Sequence, residues 1–334
     1  MKAVLMTKAG DVNVLQLTEI PTPQITTPTE ILVELKAAGV NPIDTKIRSR
    51  GTFYPESSST ILGCDGAGVV VAIGKKVTRF NCGDEVYFCA GGLGKPNTGN
   101  YAQYAVIEED YVAMKSKSLS FAQAASAPLA LITAWESLYD RVQLNSENTI
   151  LIHGGAGGVG HVAIQLAKLK GAKIVTTVSN SDKERLVRKL GADYPILYNQ
   201  QNFISAIMDL THGKGVDVGF DTVGGKTFFD TCQAVKVYGD VVTILEPNCN
   251  IESLKIARNR NLRISLELML TPALMNLSES LKHQREILEQ CALWFDEGKL
   301  TIHLEQTFPL AEVSKAHQII EKGSVIGKIS LIIP

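Results

Sequence analysis

Glycine dominates residues 154–160 in the middle of the chain, a composition that can bring backbone N–H groups close to a phosphate. The preceding stretch 149–152 has the length and branching of a buried parallel strand, and apolar residues recur afterwards with helical spacing. Gly155, Gly157 and Gly160 therefore give G-x-G-x-x-G between a predicted strand and a predicted helix. In this pattern the first glycine permits a tight turn, the second lets the backbone approach a pyrophosphate, and the third lets the helix pack on the strand.

The N–H groups of such a turn and the positive end of the helix dipole would face the phosphates. A glycine-rich turn can also be no more than a turn, but its position between a strand and a helix favours dinucleotide binding. We expect the pyrophosphate to contact Gly155, Ala156, Gly157, Gly158 and Val159.

The end of the next strand indicates which dinucleotide would bind. After the apolar stretch 174–178, an NAD-preferring site would place Asp or Glu to bond the ribose hydroxyls, whereas this chain has Ser179. Ser179 can donate to a phosphate, and Lys183 can supply the positive charge that a 2′-phosphate needs. These residues predict NADPH rather than NADH. Alternatively, Ser181 or Asp182 only caps the next helix and Lys183 is solvated.

The composition argues against several classes of protein. The 334 residues include 33 Lys and Arg against 34 Asp and Glu, so the net charge of −1 gives no bulk attraction to nucleic acid or anionic membranes. No apolar run reaches the ~20 residues of a membrane span, and residues 1–6 begin a short strand rather than a signal peptide. The six cysteines are scattered without a C-x-x-C pair, as is typical of the reducing cytoplasm. We therefore expect a cytoplasmic protein.

The order of strand and helix patterns predicts an α/β protein of two domains. Short strands separated by turn residues occupy residues 1–125, and strands alternate with helices from about 125 to 265, the pattern of an open parallel sheet. Residues 301–334 carry strand, helix and strand again. They have no obvious place in the parallel sheet, so we expect them to return to the first domain.

Several segments, in their order and spacing, resemble the medium-chain dehydrogenase/reductase superfamily, and within it the zinc-independent quinone oxidoreductase branch that includes ζ-crystallin. They are residues 39–44, 63–70, 80–86, 127–135, 154–160, 189–193, 221–225 and 327–328. The resemblance implies a GroES-like β domain of residues 1–125 and 300–334, and a Rossmann domain with a doubly wound parallel sheet of residues 126–299. It also implies NADPH in the cleft between the two domains, and a homodimer.

The same alignment provides no zinc site. Zinc-dependent relatives have Cys at the Asn41 position, His at the Cys64 position and Cys near Leu129, and a tetrahedral catalytic zinc needs three such ligands. Only Cys82 and Cys89 lie near the region where relatives have the four cysteines of a structural zinc lobe. We therefore predict no bound metal, and the role of Cys64 stays open.

Without a metal or strong base to hold an alkoxide, two hydride transfers are easier than alcohol oxidation. Hydride can be delivered to a quinone carbon or to the β-carbon of an α,β-unsaturated carbonyl, and the negative charge then spreads onto an oxygen that hydrogen-bond donors stabilise. We predict an NADPH-dependent reductase of a small apolar quinone or enone. An enoyl thioester reductase is one alternative, although no Lys/Arg cluster is present to bind coenzyme A. A non-catalytic crystallin-like or RNA-binding protein is another, weakened by the near-neutral charge.

The resemblance implies four residues at the substrate and the nicotinamide, each with a plainer interpretation. Asn41 could be only the turn residue before Pro42, and Asp44 could only cap the helix that follows. Tyr54 would lie at the mouth of the cleft, with its phenol able to donate to a substrate carbonyl, or be a partly buried loop aromatic. Thr133 would contact the nicotinamide, or would bond the backbone of its own helix.

Further cofactor contacts follow from the same resemblance. Tyr198 would place its ring near the adenine or the 2′-phosphate, with the nearby Tyr194 as the alternative. Val223 and Leu245 follow two predicted strands at the carboxyl edge, where open sheets bind ligands. Lys328 matches a closing Gly-Lys that often reaches the cofactor, although a solvated lysine is the alternative.

Three loops would shape the substrate pocket: the surroundings of Tyr54, residues 91–100 and residues 268–275. The apolar stretch 266–275 could be a flexible lid, a dimer contact or ordinary core. The strand at 241–245 is a candidate neighbour of the dimer interface.

Overall fold

The chain begins with short strands, as the turn residues at short intervals predict. The computed structural model describes residues 1–54, 59–95, 98–247 and 254–334. One unit comprises Met1–Leu129 and Leu270–Pro334, and the other Ala130–Met269. The elements before residue 128 are β1 (Lys2–Met6), β2 (Leu15–Glu19), β3 (Glu30–Val40), α1 (Pro42–Arg50), β4 (Thr60–Ile61), β5 (Asp65–Ile73), β6 (Glu85–Cys89), β7 (Tyr104–Glu108), β8 (Ala113–Met114) and α2 (Phe121–Ser126).

Strand β3 organises the first unit. It pairs antiparallel with both β5 and β7, and its buried Ile31, Val33 and Leu35 alternate with half-buried residues, so that one face enters the core. Helix α1 begins directly after it, with Asn41 as the N-cap residue and Pro42 in the first turn. The end of β3 therefore fixes where Asn41 and α1 lie.

The second unit alternates helix and strand, as the sequence pattern predicts. Its elements are α3 (Pro128–Trp135, which begins at the end of the first unit), a π-helical turn (Glu136–Arg141), β9 (Thr149–Ile152), α4 (Gly160–Leu169), β10 (Lys173–Val178), α5 (Ser181–Leu190), β11 (Tyr194–Leu197), α6 (Phe203–Leu210), β12 (Val216–Asp221), α7 (Lys226–Ala234), β13 (Val235–Thr243), α8 (Lys255–Asn259) and β14 (Arg263–Leu266). In the described residues these strands form one parallel sheet in the order β11-β10-β9-β12-β13-β14. The connections run outward in both directions from β9 and β12, which makes their carboxyl ends the switch point where ligands bind in such sheets.

Apolar side chains between this sheet and its helices form the core of the second unit. Leu151, Val175, Ile207 and Phe228 are all buried in one cluster, and burying side chains of this kind stabilises a fold by about 1.5–3 kcal/mol each. In the described residues the edge strands of this sheet are β11 and β14, and β13 lies between β12 and β14. The stretch 241–245 that we expected beside an interface is therefore mostly an internal strand.

The chain rejoins the first unit through α9 (Thr271–Leu274), α10 (Ser278–Asp296), β15 (Leu304–Pro309), α11 (Val313–Glu321) and β16 (Lys328–Ile332). Strand β16 pairs with β15 and, antiparallel, with β3, completing the sheet β15-β16-β3-β5-β6-β8 with β7 on β3. This confirms the predicted α/β class, with a β-rich first unit and a doubly wound parallel sheet in the second. No helix in the described ranges combines the length and the apolar composition needed to cross a bilayer.

The second segment of the first unit begins at Leu270, whereas we expected it to begin at residue 300. Helix α10 belongs to the first unit because it packs on β8 and buries Leu288 and Phe295. The hydroxyl of Tyr87 donates to the carbonyl oxygen of Leu288 at 2.5 Å, and the hydroxyl of Ser116 donates to Asp296 at 2.7 Å. These contacts join residues far apart in sequence, so periodicity alone did not indicate them.

Candidate functional site

The glycine turn follows β9, at the switch point of the parallel sheet. Gly154 has a backbone φ of +60°, a conformation that favours glycine. A Cβ on Gly155 would lie 2.0 Å from Oγ1 of Thr176, and a Cβ on Gly160 would lie 2.3 Å from the carbonyl oxygen of Gly154. The tight turn that we expected at Gly155 therefore lies at Gly154, whereas Gly155 and Gly160 are needed for close packing.

Three backbone donors in this turn can bind an anion. The N–H groups of Ala156, Gly158 and Val159 have no acceptor among the described residues, whereas the N–H of Gly157 donates to the carbonyl oxygen of Gly154 at 2.8 Å. The three donors stand at the start of α4, where the helix dipole adds a positive potential. Free donors at a helix N-terminus bind phosphate groups, so the turn fits the pyrophosphate of a dinucleotide.

His153, the residue before the turn, was not among the predicted site residues and fixes the turn to neighbouring elements. Its N–H donates to the carbonyl oxygen of Phe220 at 3.0 Å. The hydroxyl of Thr231 donates to the carbonyl oxygen of Thr227 at 2.6 Å, so it accepts from Nε2 of His153 at 2.9 Å, and the hydroxyl of Thr177 donates to Nδ1 at 3.1 Å. Burial lowers the pKa of His153 to about 4, and the ring is therefore neutral at neutral pH.

Ser179 and Lys183 lie at the end of β10 and in the first turn of α5, both half-buried. The side chain of Asn180 caps α5 by accepting from the N–H of Lys183 at 2.9 Å. Ser181 and Asp182 are therefore not the caps, which corrects the alternative given above. A hydroxyl and an ammonium at a helix N-terminus form a suitable environment for a phosphate.

Of the two tyrosines considered for the adenosine end, Tyr198 lies at the correct edge of the sheet. Its N–H donates to the carbonyl oxygen of Val178, next to Ser179, at 3.2 Å, and its side chain is 55% exposed. Tyr194 begins β11 at the opposite, amino edge, where the ammonium of Lys173 lies 4.8 Å from its ring centre. The geometry therefore favours Tyr198 over Tyr194.

Asp221 organises the carboxyl ends of β12 and β13. Its Oδ1 accepts from the N–H groups of Val223 and Gly224 at 3.0 and 2.9 Å, and its Oδ2 accepts from the hydroxyl of Thr243 at 2.9 Å. The same threonine hydroxyl accepts from the N–H of Leu245 at 3.2 Å. One buried carboxylate thus sets the backbone at both predicted cofactor residues, Val223 and Leu245.

The structure also brings Val223 to the glycine turn. Its Cγ2 lies 3.7 Å from the position that a Cβ of Gly154 would take, and the hydroxyl of Thr222 donates to the carbonyl oxygen of His153 at 2.7 Å. Val223 is about half exposed, so its apolar surface is open to a ligand. Thr133 lies buried on α3 of the same unit, and its contact with a nicotinamide stays a prediction.

A buried cluster of polar side chains surrounds Asn41 in the first unit. The Asn41 side chain donates from Nδ2 to Oδ2 of Asp65 at 2.8 Å, and its Oδ1 accepts from the ammonium of Lys328. Asp65 also accepts from the N–H of Leu129 at 2.9 Å and from the thiol of Cys89. Burial raises the pKa of Asp65, an effect that the charge of Lys328 opposes.

Lys328 is 3% exposed, so the alternative of a solvated lysine is wrong. Burial lowers its pKa, and the neighbouring carboxylates of Asp65 and Asp44 oppose this change. Its contact with Asn41 arises from strand register, because β16 pairs Ile329 with Val40 and so sets Lys328 opposite Asn41. Whether Lys328 also reaches a cofactor stays a prediction.

Asp44 caps α1, as the plainer interpretation expected, and also enters the buried cluster. Its Oδ2 accepts from the N–H of Asn41 at 2.8 Å and from the hydroxyl of Tyr101 at 3.0 Å. Burial raises the pKa of Asp44 to about 7 despite the hydrogen bond from Asn41, and the charge of Asp65 adds to this increase. Burial also raises the pKa of the neighbouring Cys64 thiol, whose function stays open.

Asp44→Asn should change how stability depends on pH. The pKa of Asp44 is about 7 in the fold against 3.8 for the free side chain, so the fold holds a proton that the unfolded chain releases. This contribution is complete below pH 3.8 and is lost as the pH rises to about 7. Urea unfolding from pH 4 to 8 should show Asp44→Asn gaining on the wild type with rising pH, by on the order of a few kcal/mol.

The exposed Asp209, changed to Asn, is the matched control. Its difference from the wild type should stay flat over the same pH range. An equally flat difference for Asp44→Asn would show that Asp44 does not retain its proton in the fold.

Tyr54, half-buried, lines a cavity of about 470 Å³ in the first unit, a size typical of small-molecule sites. Residues from the three predicted pocket loops line it, although residues 96 and 97 of the loop 91–100 lie outside the described residues. The lining includes Cys89, Gly91, Leu93, Thr98, Ala273 and Asn276. Because the thiol of Cys89 also bonds Asp65, one wall of the cavity connects to the Asn41 cluster.

The apolar stretch 266–275 is neither entirely core nor entirely surface. Met269 and Leu270 are buried, whereas Leu268 is 49% exposed and Met275 67% exposed. The exposed residues leave the roles of lid and dimer contact as predictions.

Sequence reasoning did not assign a role to Asp65, Tyr101, His317 or Asp221. Asp65 and Asp221 stand at the ends of apolar stretches within the segments that carry the resemblance, which was an available signal. Tyr101 and His317 gave no local signal, because they meet only in the fold, with the Tyr101 hydroxyl 3.3 Å from Nε2 of His317. Burial lowers the pKa of His317 to about 3, and the charge of Arg48 lowers it further.

Metal ligands are not clustered in the part of the chain that the structure describes: no group of three or more His, Cys, Asp or Glu side chains could hold a metal ion there. No disulfide joins the cysteines that the structure describes, which are Cys64, Cys82, Cys89, Cys232 and Cys291. Cys249 lies outside the described residues.

Two parts of the chain match known protein families. Residues 27–117 match the alcohol dehydrogenase GroES-like domain, and residues 190–331 match the family described as zinc-binding dehydrogenase. The quinone oxidoreductase 1 of Escherichia coli K12 is 31% identical over 98% of this chain and 98% of its own length. The 2-methylene-furan-3-one reductase of Solanum lycopersicum is 40% identical over 73% of this chain and 62% of its own length.

Solved structures of oxidoreductases are also similar to this chain. An alcohol dehydrogenase superfamily protein from Novosphingobium aromaticivorans superposes with a TM-score of 0.91 at 34% identity, covering 100% of both chains. The Escherichia coli quinone oxidoreductase complexed with NADPH superposes with a TM-score of 0.87 at 29% identity, covering 99% of this chain and 100% of that one.

Proposed function

The chain belongs to the quinone oxidoreductase-like family of medium-chain dehydrogenases/reductases, and we propose that it transfers a hydride from NADPH to a quinone or an α,β-unsaturated carbonyl compound without a zinc ion. The observation that carries the proposal is the glycine turn: Ala156, Gly158 and Val159 present N–H groups at the start of α4 for which the described ranges contain no acceptor. A cytoplasmic homodimer is part of the same proposal and rests on family resemblance.

NADPH would supply the hydride, and the side chains described above would bind it and exclude water. The N–H groups of the turn would hold the pyrophosphate. Ser179 and Lys183 would hold the 2′-phosphate, because neither can bond ribose hydroxyls in the manner of the Asp or Glu of NAD-preferring sites. Tyr198, Val223 and Leu245 would line the rest of the cofactor site.

The substrate would occupy the cavity lined by Tyr54 in the first unit. Hydride addition leaves negative charge on the substrate oxygen, and a fixed hydrogen-bond donor stabilises that charge. The phenol of Tyr54 and the amide of Asn41 are the donors we propose, and Thr133 would orient the nicotinamide. Asp44 would position the start of α1 and would not contact the substrate.

Lys183→Glu should raise the KM for NADPH by about ten- to hundred-fold and leave the KM for NADH nearly unchanged. A charge-assisted bond to the 2′-phosphate contributes ~1.5–3 kcal/mol, and each 1.4 kcal/mol is about tenfold in affinity. Initial rates with both cofactors against a panel of quinones and enones measure this. Lys189→Glu, an exposed lysine in the last turn of the same helix, is the control and should not change the preference.

Two results would oppose the proposal. Equal rates with NADH and NADPH in the wild type would show that Ser179 and Lys183 do not form a 2′-phosphate site. NADPH binding without turnover of any quinone or enone would leave the cofactor site standing and overturn the substrate class.

A further inference from the structure

The side-chain amide of Asn41 is held from both ends. Lys328 donates to its Oδ1, and its Nδ2 donates to Asp65 at 2.8 Å. An ammonium can only donate and a carboxylate can only accept, so the amide has one possible orientation. The second hydrogen on Nδ2 then has no acceptor in the described part of the chain.

The surrounding fold is built to keep this arrangement. Asn41, Lys328 and Asp65 are 1%, 3% and 0% exposed, so the charges of Lys328 and Asp65 act on the Asn41 amide in a medium of low dielectric constant. Gly39 leaves the space that Asp65 needs, since a Cβ there would lie 2.9 Å from the Cβ of Asp65 and 2.4 Å from the carbonyl oxygen of Ala125. Asp65 begins β5, Lys328 begins β16, and Asn41 caps α1 directly after β3, so paired strands of one sheet bring the three side chains together.

A buried ammonium on the carbonyl oxygen of an amide draws electron density from its nitrogen and makes the N–H groups stronger donors. A donor of this kind, fixed before the reaction, is what stabilises an oxygen that gains negative charge. The cluster is also next to the candidate substrate cavity, because Cys89 both lines that cavity and bonds Asp65.

We propose that Lys328 and Asp65 are positioning residues that orient and polarise Asn41, so that its free Nδ2–H donates to the substrate carbonyl oxygen during hydride transfer. The proposal rests on the function proposed above. With an enone, NADPH would supply a hydride to the β-carbon, the C=C electron pair would shift toward the carbonyl group, and the carbonyl oxygen would gain the negative charge of an enolate. Asn41 stabilises the enolate oxygen, and water then supplies the proton that completes the ketone.

A double-mutant cycle tests whether Lys328 acts through Asn41. Lys328→Met should lower kcat by about ten- to hundred-fold, while the dissociation constant of NADPH, measured by fluorescence without substrate, stays within about twofold of the wild type. In an Asn41→Ala background the same Lys328→Met change should alter kcat by less than about twofold. Lys322→Met, an exposed lysine after α11, is the control and should leave all values unchanged.

Lys328→Met removes the cation from a cluster with two buried carboxyl groups, so this variant can fail to fold. Combining it with Asp65→Asn keeps the buried charge balanced, and this pair should show the same loss of kcat with the same NADPH affinity. Lys328→Arg should restore part of kcat, because it keeps the charge and the donor.

Three outcomes would overturn the inference. If Lys328→Met weakens NADPH binding and leaves kcat intact, Lys328 is a cofactor ligand. If Lys328→Met lowers kcat equally in the wild type and in the Asn41→Ala background, Lys328 does not act through Asn41. If the pair Lys328→Met and Asp65→Asn has a normal kcat, Lys328 has only a structural role. If the wild type itself transfers no hydride from NADPH, the proposed function fails instead, and this inference fails with it.

Discussion

Gly160→Ala should destabilise the second unit and reduce NADPH affinity by up to about a hundredfold, whereas Gly157→Ala should fold normally and bind NADPH at most about tenfold more weakly. A Cβ at Gly160 would lie 2.3 Å from the carbonyl oxygen of Gly154 and 2.8 Å from the Cα of Gly155, so backbone must move. Such overpacking costs about 1–3 kcal/mol and displaces the phosphate donors. A Cβ at Gly157 would meet only the Gly154 oxygen, at 3.1 Å.

The two variants carry the same substitution three residues apart, so each controls for the other. Thermal unfolding and NADPH titration measure the two effects separately. Gly160→Ala with wild-type stability and NADPH affinity would show that the turn has room for a side chain and would contradict the proposed fit to the pyrophosphate.

Asp221→Ala should lower the stability of the protein by about 2–5 kcal/mol and weaken NADPH binding in parallel. The change leaves the N–H groups of Val223 and Gly224 and the hydroxyl of Thr243 without their shared acceptor, and unpaired buried donors cost ~1–3 kcal/mol each. Asp221→Asn should cost much less, because its oxygen can still accept from the two N–H groups while the Thr243 hydroxyl turns to accept from the new amide.

Urea unfolding together with NADPH titration checks this pair of variants. If Asp221→Ala and Asp221→Asn lose equal stability, the charge of Asp221 rather than its acceptor geometry holds the two strand ends. If neither loses NADPH affinity, Val223 and Leu245 do not line the cofactor site.

The sequence was sufficient for features whose residues are adjacent in the chain. The strand, glycine turn and helix around Gly160 follow one another directly. The capping role of Asp44 could be predicted for the same reason, because its partner Asn41 is three residues away.

The remaining features depend on contacts between distant parts of the chain. Lys328 meets Asn41 across 287 residues, through a strand register that no local pattern specifies, and this is why a solvated lysine was an open alternative. The sequence of helix α10 is compatible with either unit, and only its packing on β8 shows that it belongs to the first. The assignment of the tight turn to Gly155 instead of Gly154 was an error of one residue that periodicity cannot correct, because both positions are glycine.

The most direct test of metal-free hydride transfer uses NADPH deuterated at the reactive C4 position of the nicotinamide, an enone, and protein treated with a chelator. We expect deuterium on the β-carbon of the saturated product and a rate that the chelator does not change. A rate that is lost on chelation and restored by Zn²⁺, or a product without deuterium from NADPH, would contradict it.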